Sequence, residues 1–301
     1  MTDRARFLYL GLPLGALALL HARLNVVVAC ISRTSAPGMR RLRGQMASRG
    51  SLLLGRPELA DVGTLELIRS AKPDVIVSWF WTKKIPAPVL RLAPDRFGVH
   101  PSLLPRHRGP DPYFWALARG DRETGVTAHM LSEDYDTGDI LAQRSLPIPD
   151  HVHALGLARA LDKPSLDLML ETAARLSRME VLDTTPQDMS RSTEAPFPSN
   201  DDCEIQWDWT VDQVLRRIRA AAPEPGAFTG YGDDTIVICR ASQYHGNTAA
   251  LEPGDVALAD LGIVVQAADG AILVERAHRE GASASARGLD VAALFPGVAR
   301  L

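Results

Sequence analysis

Two side chains in this sequence are spaced to handle a proton. His100 ends the apolar run Phe97-Gly-Val-His100, and Asp136 follows thirty-six residues later in an Asp-Thr-Gly turn. An imidazole, with a reference pKa near about 6.5, donates when protonated and accepts when neutral. A carboxylate beside it orients the ring, raises its basicity and stabilises the imidazolium. Such a pair suits a reaction that develops an oxyanion and releases a proton. Taken singly, His100 reads as a satisfied strand-end histidine and Asp136 as an ordinary turn aspartate. The pairing is what points to chemistry. Between the two lies a proline-framed loop, Pro101 to Gly109, carrying Arg106 and Arg108. With Lys83 and Lys84, these arginines suit an anionic group or, equally, a solvated loop with one structural arginine. His129, seven residues before Asp136, is either a site residue or a strand histidine with polar neighbours.

Short β-branched runs alternating with helical patterns must position these groups. Arg6 to Leu10 reads as a strand, Gly11-Leu-Pro13 as a turn and Leu14 to Arg23 as a helix. Val26 to Ile31 and Asp74 to Phe80 are almost continuously apolar, as strands covered on both faces are. Met39 to Ser48 and Val62 to Ser70 read as the intervening helices. Phe97 to His100 is a short strand, Asp111 to Ala118 the start of a helix, and Gly125 to Ser132 and Ile140 to Ile148 are further strands. This alternation predicts an α/β fold with a doubly wound, mainly parallel sheet and a ligand crevice at the carboxyl ends of its strands. Leu155 to Met179 is a long helix with a kink or break expected at Pro164. Asp183 to Asp202, rich in Thr, Ser, Pro, Asp and Asn, reads as a linker. A helix over Val211 to Ala222, with Arg216, Arg217 and Arg219 on its polar side, then leads into strand candidates at 235–240, 262–266 and 271–276. Gly and Asp turns separate these, as in a small barrel.

The bulk numbers exclude several classes. The chain has 301 residues, 46% of them hydrophobic and 23% charged, enough for one large or two modest globular domains. A net charge of −3 gives no whole-protein case for nucleic acid or anionic membranes. Cys30, Cys203 and Cys239 lie far apart with no histidine at ligand spacing, which predicts neither disulfides nor a metal site and fits a cytoplasmic protein. Arg4 and Arg6 before the apolar stretch Phe7 to Leu20 imitate a signal peptide, but Gly11 and Pro13 interrupt it, so an internal strand–helix unit is expected.

Five motifs carry a family resemblance. Lys72-Pro-Asp-Val-Ile-Val77, the His100 to Gly109 loop, Thr124-Gly-Val-Thr127 and Asp136-Thr-Gly-Asp-Ile140 look like the catalytic domain of the folate-dependent formyltransferases. Ile218-Arg-Ala220 with Pro223-Glu-Pro-Gly-Ala-Phe-Thr229 looks like that family's bridge into a C-terminal barrel. The resemblance implies a Rossmann-like catalytic domain over 1–182, a linker over 183–204, and an OB-like barrel with a leading helix over 205–301. It implies transfer of a formyl group from 10-formyltetrahydrofolate to an amine, with His100 and Asp136 as the catalytic pair. The folate would be held by Trp81, Thr82, Ser102, Leu103, Leu104, Asp134 and Ile140. Trp81 could stack on its ring, while Trp79 reads as core. Gly98, Arg106, Arg108, Gly109 and His129 fall on the acceptor side.

One position departs from the pattern. The family has asparagine two residues before the histidine, where this chain has Gly98. One oxyanion donor is typically worth about 2.7–4 kcal/mol. The enzyme is then slow, or His129, Ser102 or a water replaces the donor, or the chain no longer formylates, or the glycine widens the site for another substrate. The acceptor also has alternatives. The initiator-tRNA enzymes carry a basic, glycine-rich insertion after the second strand; here Arg33 to Gly38 leads straight into a helix bearing Arg40, Arg41 and Arg43. Asp111-Pro-Tyr-Phe-Trp115 looks more like the small-molecule members, including those acting on amino sugars. The expectation is a small amine acceptor such as an amino sugar. Initiator methionyl-tRNA, a non-catalytic folate-binding homologue and a related one-carbon or acyl transfer are the alternatives, since a barrel of this type can hold single-stranded nucleic acid.

Overall fold

The computed structural model describes residues 5–282 and 284–301. In chain order its elements are β1 (Arg6–Gly11), α1 (Pro13–His21), β2 (Asn25–Ile31), α2 (Met39–Ser48), β3 (Leu52–Gly55), α3 (Val62–Ser70), β4 (Val75–Trp79), α4 (Ala87–Leu90), β5 (Asp95–His100), α5 (Pro112–Ala118), β6 (Glu123–Met130), β7 (Ile140–Pro147) and α6 (Ala154–Ser177). There follow α7 (Asn200–Cys203), α8 (Val211–Ala221), β8 (Ala227–Tyr231), β9 (Asp234–Tyr244), β10 (Val256–Ala259), β11 (Gly262–Ala267), β12 (Gly270–Arg279) and β13 (Ala286–Arg287). The N-terminal strand and helix stand where the sequence places them. Arg4, half of the signal-like charge pair, lies outside the described residues.

Strands β1 to β7 form one sheet in the order β3-β2-β1-β4-β5-β6-β7. The pairs β1/β2, β2/β3, β1/β4 and β4/β5 are parallel, whereas β5/β6 is antiparallel. The order reverses between β1 and β4, so the crevice of such a sheet opens at the carboxyl ends of these strands. The sheet is stable because its strands are apolar on both faces: Leu8, Leu10, Val28, Cys30 and Ile76 are buried in one cluster with Ile68 of α3 and Val89 and Leu90 of α4. Trp79 is core, as expected, and its indole Nε1–H donates to Ser165 Oγ of α6 at 2.6 Å. Pro164 does not break α6, which runs continuously through it. β3 and α4 escape the sequence reading, being only four residues long.

The C-terminal sheet is antiparallel and runs β10-β11-β12-β9-β8, with β13 beside β12. Helix α8 starts in a reciprocal cap between Thr210 and Gln213, which satisfies two backbone donors that the first turn cannot. Its arginines differ from the expected polar stripe. Arg217 is half-buried, its guanidinium 4.8 Å from the Trp209 ring and 5.6 Å from the Phe114 ring, and the Nε of Arg219 is buried with no hydrogen-bond partner.

The chain divides into two compact units that interleave along the sequence. One comprises residues up to 110, 124–146 and 160–194; the other comprises 111–123, 147–159 and 195–301. The expected borders at 182 and 205 therefore need correction. Residues 183–194 are not a linker but part of the first unit. Thr185 exchanges both backbone hydrogen bonds with Ile140, and the Thr193 carbonyl accepts from the Arg108 amide at 2.8 Å. A segment without apolar periodicity is fixed here by backbone pairing, which leaves no trace in composition.

Candidate active site

β5 and β6 build the site by cross-strand pairing. Gly98 faces His129 and His100 faces Thr127 in the antiparallel register. Residues 98 and 100 share one face of β5, so His100 and His129 are diagonal neighbours on that face. Asp136 reaches them from the loop after β6. That loop is held by Ser132 Oγ, which contacts Thr137 Oγ1 at 2.8 Å and donates to the Asp134 carbonyl at 3.0 Å. Gly138 is required in the turn, because a Cβ there would overlap the Met130 carbonyl oxygen. Asp136 itself sits at φ 55°, a left-handed conformation held by the structure around it.

The result is one carboxylate between two imidazoles. Asp136 Oδ2 lies 3.4 Å from His100 Nδ1 and Oδ1 lies 3.5 Å from His129 Nε2. The side chains are 17%, 7% and 4% exposed for Asp136, His100 and His129. The outer nitrogen of each ring meets a backbone carbonyl: His100 Nε2 the His107 oxygen at 2.8 Å, and His129 Nδ1 the Met130 oxygen at 2.9 Å. A carbonyl only accepts, so each outer nitrogen carries the hydrogen and each inner nitrogen faces the carboxylate. Gly109 N–H donates to Asp136 Oδ2 at 3.0 Å.

Burial works to raise the Asp136 pKa, but His100, His129, the Gly109 amide and Arg108 outweigh it and hold the carboxyl below the usual range. Burial likewise pushes His129 below its ordinary value, and the nearby Asp136 only partly opposes this. Burial thus favours the neutral form of His129, in which Nδ1 carries the hydrogen to the Met130 carbonyl and Nε2 carries the lone pair.

The remaining expected residues divide. Arg108 is buried rather than solvated: its Nη2 donates to Gln187 Oε1 at 2.6 Å, while its Nε is buried without a hydrogen-bond partner. Ser102 is committed to the loop, donating to the Arg106 carbonyl at 2.6 Å, so it is not the donor that replaces the missing carboxamide. Leu104 is buried, with its amide donating to Thr127 Oγ1 at 3.1 Å, and Leu103 and Ile140 are half-buried. Arg106 is half-buried. Thr82 is exposed, and Asp134 is an exposed partner of Lys84 at 3.5 Å. Trp81 packs partly against the core of the first sheet, with its indole N–H buried and unpartnered.

Sequence reasoning missed Gln187. Its Nε2 donates to the carbonyls of Asp136 and Gly138 at 2.8 and 2.6 Å while its Oε1 holds Arg108. One carboxamide thus ties the arginine of one loop to the turn of the other. No motif marks it; it lies in a segment whose composition signals only a connection.

Known proteins resemble this chain over most of its length. Residues 26–172 match the family described as Formyl transferase, and residues 199–288 match Formyl transferase, C-terminal domain. The methionyl-tRNA formyltransferase of Anaeromyxobacter dehalogenans is 33% identical over 95% of this chain and 96% of its own length. The chain belongs to the formyl transferase family. Among solved structures, HypX from Aquifex aeolicus in complex with tetrahydrofolic acid superposes with a TM-score of 0.64 at 22% identity, covering 99% of this chain and 49% of that one. The N-formyltransferase from Helicobacter canadensis, in complex with folinic acid and dTDP-3-aminofucose, superposes with a TM-score of 0.68 at 14% identity, covering 94% and 99%. At these identities the two structures show a shared fold.

Proposed function

We propose that this enzyme transfers the formyl group of 10-formyltetrahydrofolate to the primary amine of a small molecule, with His100 and Asp136 in the reacting centre. The observation that carries the reading is a buried carboxylate with an imidazole on each side, each imidazole turned towards it by a backbone carbonyl. The amine nitrogen attacks the formyl carbon, and the proton it sheds needs an acceptor that is neutral at working pH. His100 Nε2–H already donates to a carbonyl oxygen, so the same nitrogen can hold the formyl oxygen when that oxygen takes the carbonyl's place. Asp136 stabilises whichever ring becomes charged. The unpartnered Trp81 indole N–H supports a role in holding the folate, since a buried donor without an acceptor is costly unless a ligand supplies one.

A small acceptor fits the first unit best. The connection from β2 to α2 spans only Ser32 to Gly38, and Arg40, Arg41 and Arg43 of α2 are exposed, as a solvated helix face would be. Initiator methionyl-tRNA is the second reading, favoured by the full-length likeness to an enzyme named for that acceptor. The test is release of tetrahydrofolate from 10-formyltetrahydrofolate in parallel reactions with a dTDP-linked amino sugar and with initiator methionyl-tRNA. Turnover with the sugar alone supports the small acceptor; turnover with the tRNA alone replaces it with the second reading. Release with neither, while folinic acid still binds, rejects transfer to both.

A further inference from the structure

The glycine at position 98 deletes a side chain from the centre of the site, yet it does not leave that site wider. A Cβ built on Gly98 would lie 3.0 Å from Leu131 Cδ2, 3.4 Å from His129 Nε2 and 3.7 Å from His129 Cε1. Gly98 and His129 are direct cross-strand partners, and side chains so paired project from the same face. The tight contact is with Leu131, while the His129 ring stands at ordinary contact distance and so already borders this space.

The two imidazoles of the site are not equivalent. His100 donates its Nε2 hydrogen to the His107 carbonyl and turns Nδ1 towards Asp136. His129 spends its Nδ1 hydrogen on the Met130 carbonyl, so its basic lone pair is on Nε2. That nitrogen borders both Asp136 Oδ1 and the volume where a side chain at position 98 would stand. We propose that His129 is a catalytic residue of this formyl transferase, bordering the space beside Gly98 and receiving the amine's proton on Nε2. The proposal deepens the formyl-transfer reading and rests on it.

The step balances without a further reagent. The amine lone pair forms the new C–N bond, and the bond from the formyl carbon to N10 of the folate breaks with its electron pair returning to N10. The proton lost by the amine passes to His129 Nε2 and then to the departing N10. The products are the N-formyl amine and tetrahydrofolate, with His129 neutral again. The charged and titratable groups that act on this ring are Asp136, which stabilises its cation, and His100 and Arg108, which oppose it. Burial keeps the resting ring neutral and so ready to accept.

The experiment compares wild type, His129→Ala, His129→Gln, Gly98→Asn and the double variant Gly98→Asn/His129→Ala. Each is assayed with whichever of the dTDP-amino sugar and initiator methionyl-tRNA the wild type formylates. His129→Ala is expected to lower kcat by roughly a hundredfold or more, the usual weight of a proton-transfer group, with KM for the folate changed less than about threefold. The double variant supplies an oxyanion donor but no proton acceptor, so it should stay at least about tenfold below wild type. His129→Gln should remove the acidic limb of the kcat–pH profile, which a merely structural histidine would leave in place. A His129→Ala enzyme with kcat within about threefold of wild type overturns the proposal, and so does a double variant restored to the wild-type kcat. If His129→Ala does not fold, the pH profile of His129→Gln decides, and an unchanged limb overturns the proposal. A wild type that binds folinic acid but formylates neither acceptor overturns the transfer reading itself, a result distinct from any failure of the variants alone.

Discussion

The two units of this chain handle charge in opposite ways. In the first, Asp136, His100, His129 and Arg108 are buried together, and the arginine keeps a buried Nε without a partner. In the second, a cavity of about 460 Å³ is lined by Arg122, Arg216 and Arg219 with Asp121, Asp150 and Asp212. There the charges cancel one for one, and Arg216 pairs with Asp212 one helical turn away. Burial of unlike groups around a single carboxylate shifts pKa values in ways useful for chemistry, whereas a partly exposed pair such as Arg216–Asp212 contributes little to stability. Numbers of charged residues do not separate the two regions, and nor does burial alone, since Arg219 also keeps a buried Nε; convergence on a single carboxylate does.

The contrast can be broken most sharply at Asp136. Replacing it by Asn keeps the shape but removes the anion that both imidazoles face, and kcat is expected to fall by about a thousandfold, read from tetrahydrofolate release. Next comes Gln187→Ala. It strips partners from Arg108 Nη2 and from two carbonyls of the Asp136 turn, so a loss of about 1–3 kcal/mol in denaturant unfolding is expected, together with a fall in kcat.

A pH series sharpens the comparison further. His129 has a folded pKa below its unfolded value near about 6.5, so the unfolded chain takes up the proton first as pH falls. Its contribution is complete above that value and is lost progressively as pH drops from there towards the folded pKa. Asp136, also depressed, adds a second loss below about pH 3.9. The melting temperature should therefore decline through mildly acidic pH, and His129→Gln should flatten the decline. The smallest effect belongs to the second unit. Arg216→Gln breaks a matched pair, and a stability change under about 1 kcal/mol with unaltered kcat is expected.

Much of the first unit was legible because its signals are local. Continuous apolar runs mark β2 and β4, whose faces are both covered, and His100 closes β5 as the pattern requires. The motif residues His100, Asp136 and Gly109 do converge. What stayed hidden depends on pairing across distance. The register that puts His129 against Gly98 is a property of two strands together and of neither alone. The same holds for Gln187, whose three hydrogen bonds join segments far apart in sequence. Arg217 was placed on a polar helix side because a sequence shows a cation but not the ring that waits beside it, and the two readings of Arg108 stayed open until its Gln187 partner was seen.

The return of residues 183–194 to the first unit sets a rule for anyone trimming this protein. A fragment ending at 182 would retain every strand of the larger sheet and both imidazoles, and would look complete on paper. It would nonetheless lack Gln187 and the Thr193 backbone that pin the arginine loop, leaving the Asp136 turn untethered on one side. The shortest piece worth expressing for activity therefore extends at least through Thr193.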